Sequence, residues 1–208
     1  IFKIGGANST GITADMDVNY VRMGNGEIIP PTPWNLILDD MDDYIAGWGV
    51  IGAGGSVTQQ DGYVTIIDSS SNYYFMTKNN FSPPIGAFTF EVKAKGNSSG
   101  TTNEITIRSG SYLISLFLTY GTTGTAQDRE TSPIRTTTLD TTVYHTYRVV
   151  VHSNYTYELY VDGILAWSGA TSNGTGSNIF KIGGSNSTGI TADMDIDYVR
   201  MGYGEMIP

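Results

Sequence analysis

Apolar and polar residues alternate along most of this chain with a period of two. A helical spacing of apolar residues is nowhere sustained. Residues 62–67 (GYVTII) read as a short strand. In 87–94 (AFTFEVKA), Phe88, Phe90 and Val92 fall on one face. Residues 104–108 (EITIR) and 111–119 (SYLISLFLT) read as a hairpin turning at Ser109-Gly110. In 144–151 (YHTYRVVV), Tyr147, Val149 and Val151 share a face. The run 156–161 (TYELYV) ends at Asp162-Gly163, a strong hairpin turn, and ILAWSG returns from it. IFKIGG and ADMDIDYVRM close the chain as two further strands. In the last, Asp193, Asp195 and Asp197 alternate on one face, with Ala192, Met194, Ile196 and Tyr198 expected on the other. Many strands punctuated by turn clusters predict an all-β fold, an antiparallel two-sheet sandwich.

One stretch occurs twice. Residues 1–30 and 179–208 agree at 25 of 30 positions. The differing pairs are Ala7/Ser185, Val18/Ile196, Asn19/Asp197, Asn25/Tyr203 and Ile28/Met206. An offset of 178 residues is too long for a solenoid repeat and suits a whole domain. The expected organisation is a unit at 31–208, opening at the linker-like PPTP, with 1–30 the C-terminal strands of a preceding repeat. Two short strands cannot bury a core alone. Residues 1–30 and 179–208 should fit one slot nearly equally well, so exchange of this segment between neighbours is expected.

Composition narrows the partners. The net charge of −9 argues against nucleic acid, because neutralising phosphates takes clustered cations. With no cysteine in the chain, disulfides and thiolate-ligated metals are excluded. No apolar run approaches the roughly 20 residues of a membrane helix, so no direct membrane insertion is expected. The mix of Thr, Ser, Asn and Gly with few Lys reads as an extracellular or cell-surface protein. A chain that opens without Met or signal peptide reads as cut from something longer.

At the level of motifs, YHTYRVVVHSNYTYELYVDGILAWSG, followed by IFKIGG and DIDYVRMG, resembles the C-terminal half of concanavalin A-like sandwiches of the laminin G-like type. The resemblance covers roughly 85–208 well and 34–84 only by general pattern. It implies a jelly-roll fold in a superfamily of lectins, carbohydrate-binding modules, adhesive modules and some polysaccharide-cleaving enzymes. Catalytic members carry Glu-x-Asp-x-(x)-Glu on one strand, and no such segment occurs here. Glu91, Glu104, Glu130, Glu158 and Glu205 stand apart from one another in sequence. His145 and His152 lack the Gln and Tyr context that lyases on this fold use.

Sugars are held by aromatic faces, with polar side chains fixing hydroxyls. Tyr73 and Tyr74 after a Ser-rich turn, and Tyr112 and Tyr120 flanking the central hairpin near Arg108, are the candidate ligand-binding residues. Structural calcium is common in the superfamily and takes 6–8 oxygens. LDDMDDY is the richest local source, so Asp39 or Asp40 joined with Asp195 is the candidate calcium site. Asn8, Asn80, Asn97, Asn154, Asn173 and Asn186 each open an Asn-x-Ser/Thr glycosylation triplet.

The resulting expectation is a non-catalytic repeat of a large extracellular protein, binding a polysaccharide or glycoconjugate in adhesion. Its neighbouring repeats would be its other partners, and tandem copies would gain by avidity. The alternative is a structural subunit of a fibre, sheath or surface layer assembled by strand exchange. A polysaccharide-degrading enzyme is the least favoured reading.

Overall fold

The computed structural model describes residues 34, 36–41, 47–69, 73–78, 81–82, 84–109, 111–129, 133–172, 174, 178–184 and 192–208, with the backbone of 23–24 and 27–28. In chain order, β1 (Met23–Gly24) and β2 (Glu27–Ile28) pair with each other. Then come β3 (Ile37–Asp39), β4 (Trp48–Gly52), β5 (Gly55–Gln59), β6 (Val64–Asp68) and β7 (Tyr74–Lys78). The middle of the chain gives β8 (Phe88–Gly96), β9 (Thr102–Ser109), β10 (Tyr112–Thr119), β11 (Gly124–Asp128) and β12 (Arg135–Leu139). The end gives β13 (His145–Val151), β14 (Thr156–Val161), β15 (Ile164–Ala170), β16 (Ile179–Gly184) and β17 (Ala192–Tyr203).

Two antiparallel sheets form a sandwich. One has the order β12-β11-β10-β9-β16-β7-β4. The other runs β15-β14-β13-β8-β17-β6-β5, with β3 pairing β17 as an eighth strand. This is the antiparallel sandwich that the alternation predicts, with the jelly-roll form that the resemblance implies. The Asp162-Gly163 turn behaves as its sequence requires: both residues have positive φ, 51° and 81°, as a type I′ hairpin demands.

The inner faces interlock. Phe88, Phe90, Val92 and Ala94 of β8 meet Ile105 and Ile107 of β9, Leu116 of β10 and Phe180 of β16, all fully buried. Phe180 sits edge-on to Phe90 at 5.9 Å and tilted against Trp48 at 6.0 Å. Each such side chain contributes about 1.5–3 kcal/mol on leaving water. The segment duplicated at the N-terminus holds the middle of the molecule. β16 lies between β9 and β7, and β17 lies between β8 and β6.

In β17 the alternation breaks. A register shift between Ile196 and Tyr198 inserts Asp197 as a bulge. Ile196 and Val199 both point inward and are fully buried, so Tyr198 joins the acidic residues outside. This corrects the expectation that Tyr198 shares a face with Met194 and Ile196.

Candidate functional site

The outward face of the seven-stranded sheet follows from parity. In β9 the inward residues are Ile105 and Ile107, so Glu104, Thr106 and Arg108 point out. The register then aligns residues across the strands. Phe75, Gly183, Glu104, Phe117 and Gln127 form one row. Thr77, Lys181, Thr106 and Ser115 form the next.

Glu104 is the centre of these rows and is 4% exposed. Lys181 Nζ lies 3.1 Å from Glu104 Oε1. The Thr106 hydroxyl hydrogen-bonds both Glu104 and, at 3.0 Å, Ser115 Oγ. Burying a carboxylate costs free energy unless it is paired and hydrogen-bonded, and here it is both. Aromatic rings flank the pair. Lys181 Nζ stands 3.7 Å over the Phe75 ring, and Tyr73 lies beside Phe75 at 6.1 Å. On the other side Arg129 caps the Phe117 ring at 5.0 Å. Phe75 and Phe117 are three strand spacings apart, about 14 Å, with the carboxylate between them. Gly183 keeps the floor low. A Cβ there would lie 2.8 Å from Phe75 Cα and 2.3 Å from the Tyr74 carbonyl oxygen.

The sequence-predicted residues scatter around this site. Tyr73 is 44% exposed, and both it and Arg108 belong to the Glu104 face. Tyr74 is half-buried and packs on the core. Tyr112 is 1% exposed, stacked on Phe88 at 5.2 Å, so it is a core residue rather than an open platform. Its hydroxyl reaches the Pro84 carbonyl at 3.4 Å, at the floor of a cleft of about 270 Å³ beside Ser82, Ser109 and Tyr155. Burial holds that hydroxyl protonated, well above the ordinary tyrosine range. Tyr120 is half-buried, its ring close to Gly96. Glu104, which stands alone in sequence, is the functional candidate that linear reading missed. Its partners Lys181 and Phe75 come from strands far away in the chain.

The candidate calcium residues do not converge. Asp39 Oδ1 accepts the Met41 N–H at 3.1 Å, and Oδ2 accepts Trp48 Nε1–H at 2.6 Å. Asp40 is exposed. Asp195 instead accepts from Thr65 Oγ1 and Asn97 Nδ2, each at 2.8 Å, and pairs with Lys95 at 3.2 Å. Asp39 is in register with Val199, four residues or about 13 Å along β17 from Asp195. Among the described residues no three His, Cys, Asp or Glu side chains come together for a metal ion. The joined Asp39–Asp195 site is therefore corrected: one carboxylate is spent on a turn and an indole, the other on a lysine.

Asp195 belongs to a ladder of charges on the outer face of the other sheet. Lys93 pairs with Asp197 at 2.5 Å, and Arg148 with the buried Glu91 at 2.6 Å. Tyr198 donates to Glu91 at 2.8 Å. Of the glycosylation candidates, Asn154 is exposed, its Oδ1 accepting from Thr156 N–H and Oγ1–H. Asn97 spends its amide on Asp193 and Asp195. Asn8, Asn80, Asn173 and Asn186 lie outside the described residues.

No protein-family model matches the chain, and no curated protein matches it in sequence. Solved structures do. A Bacillus licheniformis beta-glucanase matches with TM-score 0.56 and 14% identity, over 81% of this chain and 98% of that one. The Crh5 transglycosylase in its apo form matches with TM-score 0.61 and 13% identity, over 81% of this chain and 84% of that one. A beta-1,3-glucanase from Mycobacterium marinum matches with TM-score 0.51 and 15% identity, over 80% and 97%. The fold is thus that of the concanavalin A-like jelly-roll sandwiches. The same neighbours overturn the expectation of a non-catalytic adhesion module, and with it the alternative of a fibre or surface-layer subunit. The two glucanases and the transglycosylase named here share this fold over 84–98% of their own length.

Proposed function

We propose that the protein is a carbohydrate-active enzyme that cleaves or transfers a polysaccharide laid across the outward face of the seven-stranded sheet. The observation that carries this reading is the buried Glu104–Lys181–Thr106 group between two aromatic flanks. Tyr73 and Phe117 supply the faces on which sugar rings stack, while Phe75, 2% exposed, lies beneath the Lys181 ammonium. Glu104 is the proton-transfer group, and Lys181 and Thr106 hold it in place.

The chemistry follows from what the face carries. A retaining glycosidase needs a second carboxylate about 5–5.5 Å from the first. Among the described strand residues of this face, Glu104 is the one carboxylate. The reading is therefore a single displacement. A water or sugar hydroxyl attacks the anomeric carbon and gives its proton to Glu104. The bond from that carbon to the leaving oxygen breaks, and water on the opposite side of the ring supplies the proton that oxygen takes up, because Lys181, 3.1 Å from Glu104, lies on the same side as the base. Inversion of the anomeric centre is the consequence.

A polysaccharide substrate sets the work outside the cell or at its surface. The duplicated segment supports placing the unit 31–208 in a tandem array, with 1–30 closing the unit before it. The test is a panel of β-1,3-, β-1,4- and mixed-linkage glucans, xyloglucan and chitin, scored for new reducing ends and for transfer products. Glu104→Gln is expected to lower the rate about 10²–10⁴-fold with the circular dichroism unchanged. Full activity in that variant, or no activity of the wild type on any substrate, would overturn the reading.

A further inference from the structure

The chain carries a net charge of −9, yet its cations gather on the face around Glu104. We propose, resting on the reading of this face as a glycan surface, that the polysaccharide it takes is anionic, with a carboxylate or sulfate bound by Arg129 beside Phe117.

Parity and ring contacts place the charges. Asp128 ends β11 pointing inward, 1% exposed, so Arg129 after it points out and is exposed. Its guanidinium stands 5.0 Å over the Phe117 ring, and its Nε donates to Gln127 Oε1 at 2.8 Å. On the other side of Glu104, Lys181 stands 3.7 Å over Phe75. Each ring flanking the carboxylate therefore holds a cation. Arg108 supplies a third, one row beyond Thr106 on β9 and in register with Ile179 and Leu113. Among the described residues of this face, three cations meet the single carboxylate of Glu104. The other sheet is different. There Lys93, Lys95 and Arg148 are each spent on an acid, Asp197, Asp195 and Glu91. Arg129 pairs with no carboxylate among the described residues.

The Phe117 ring and the Gln127 amide fix the Arg129 guanidinium, a planar fork that fits two oxygens of a carboxylate or sulfate. A sugar carrying such a group meets Phe117 with its C–H face and Arg129 with its acid. A neutral sugar offers only hydroxyls, which leave the positive charge uncompensated as water is displaced. Lys181 and Arg129 lie three strand spacings apart, from β16 to β11, about 14 Å. A glycan laid across the strands passes Lys181, Glu104 and Arg129 in turn. Its acid is met on the side of Glu104 away from Lys181, where it does not compete for that ion pair. A positive patch on a negative chain also steers an anionic polymer to this face, an effect that salt screens.

Isothermal titration of the full chain with polygalacturonate, dextran sulfate and a neutral β-1,3-glucan tests this, with new reducing ends scored in the same samples. At least one of the two anionic polymers is expected to bind about tenfold more tightly than the neutral one, and to weaken as salt is added. Preference for polygalacturonate marks a carboxylate and preference for dextran sulfate a sulfate. Arg129→Gln is expected to lower that affinity about tenfold. Lys93→Gln removes the same charge from the other sheet and should change it by less than about twofold. Circular dichroism checks that both variants fold. Equal or tighter binding of the neutral glucan overturns the proposal, as does equal loss in the two variants or none in Arg129→Gln. Binding of the anionic polymer without cleavage upholds it and overturns the catalytic reading instead. Cleavage of neutral glucans alone does the reverse.

Discussion

Tyr147→Phe should make this protein more stable. Tyr147 lies on β13 between Val92 of β8 and Val161 of β14 and is fully buried. Its ring meets His145 edge-on at 6.3 Å, but its hydroxyl has no hydrogen-bond partner among the described residues. Burial, and then the nearby Asp162 charge, push its pKa up, so the group stays an O–H. An unmet buried hydroxyl costs about 1–3 kcal/mol. Deleting the oxygen leaves a small void that returns about 0.5 kcal/mol of this. The net expectation is a gain of about 1 kcal/mol, or about 2–4 °C in melting temperature for a domain of this size. Urea denaturation at an unchanged slope reads it directly. A loss of 1 kcal/mol or more would mean instead that the hydroxyl holds a partner such as a buried water.

Arg148→Met strips the 2.6 Å partner from Glu91, whose side chain is 2% exposed, and should cost about 3 kcal/mol in a denaturation midpoint. Tyr157→Phe removes the hydroxyl that donates to the buried Asp128 and accepts from Trp167 Nε1, and should cost about 1–3 kcal/mol by the same measure. Gly183→Ala forces a Cβ into the Tyr74 carbonyl and the Phe75 backbone, so turnover and melting temperature should fall together. Thr142 N–H and Oγ1–H, at 3.0 and 2.6 Å, hold the Asp140 carboxyl below its ordinary value of 3.8. Its contribution to stability is present above that value and lost as pH falls through the lower folded one. A carboxyl NMR titration should show the depressed midpoint, and Thr142→Ala should raise it.

How much of this was legible depends on what each strand buries. The hairpin across Asp162-Gly163 and the alternation of 87–94 announce themselves because one face is apolar and the turn residues take positive φ. β8 runs Phe88–Gly96 and β14 runs Thr156–Val161, close to their sequence patterns. β5 (Gly55–Gln59) and β12 (Arg135–Leu139) were not legible: no residue in either is fully buried, so neither needs an apolar face. The bulge at Asp197 was equally silent, since it shifts parity without a Gly or Pro to mark it. The candidate site was the least legible. Glu104 looks isolated along the chain, and only the pairing of β9 with β16 brings Lys181 to it. The aspartates that do cluster in sequence, on β17, are neutralised by Lys93 and Lys95 from the next strand. Linear acid density thus pointed to the charged outer surface of one sheet, while the candidate carboxylate Glu104 lay on the other.

The proposed single displacement by Glu104 acts on a glycan bound over the seven-stranded sheet. It is tested most directly by following anomeric protons with ¹H NMR from the first moments of polysaccharide digestion. The first new ends should carry inverted configuration, and Glu104→Gln should form them about 10²–10⁴-fold more slowly. New ends of retained configuration would contradict it, as would their appearance at an undiminished rate in the Glu104→Gln protein.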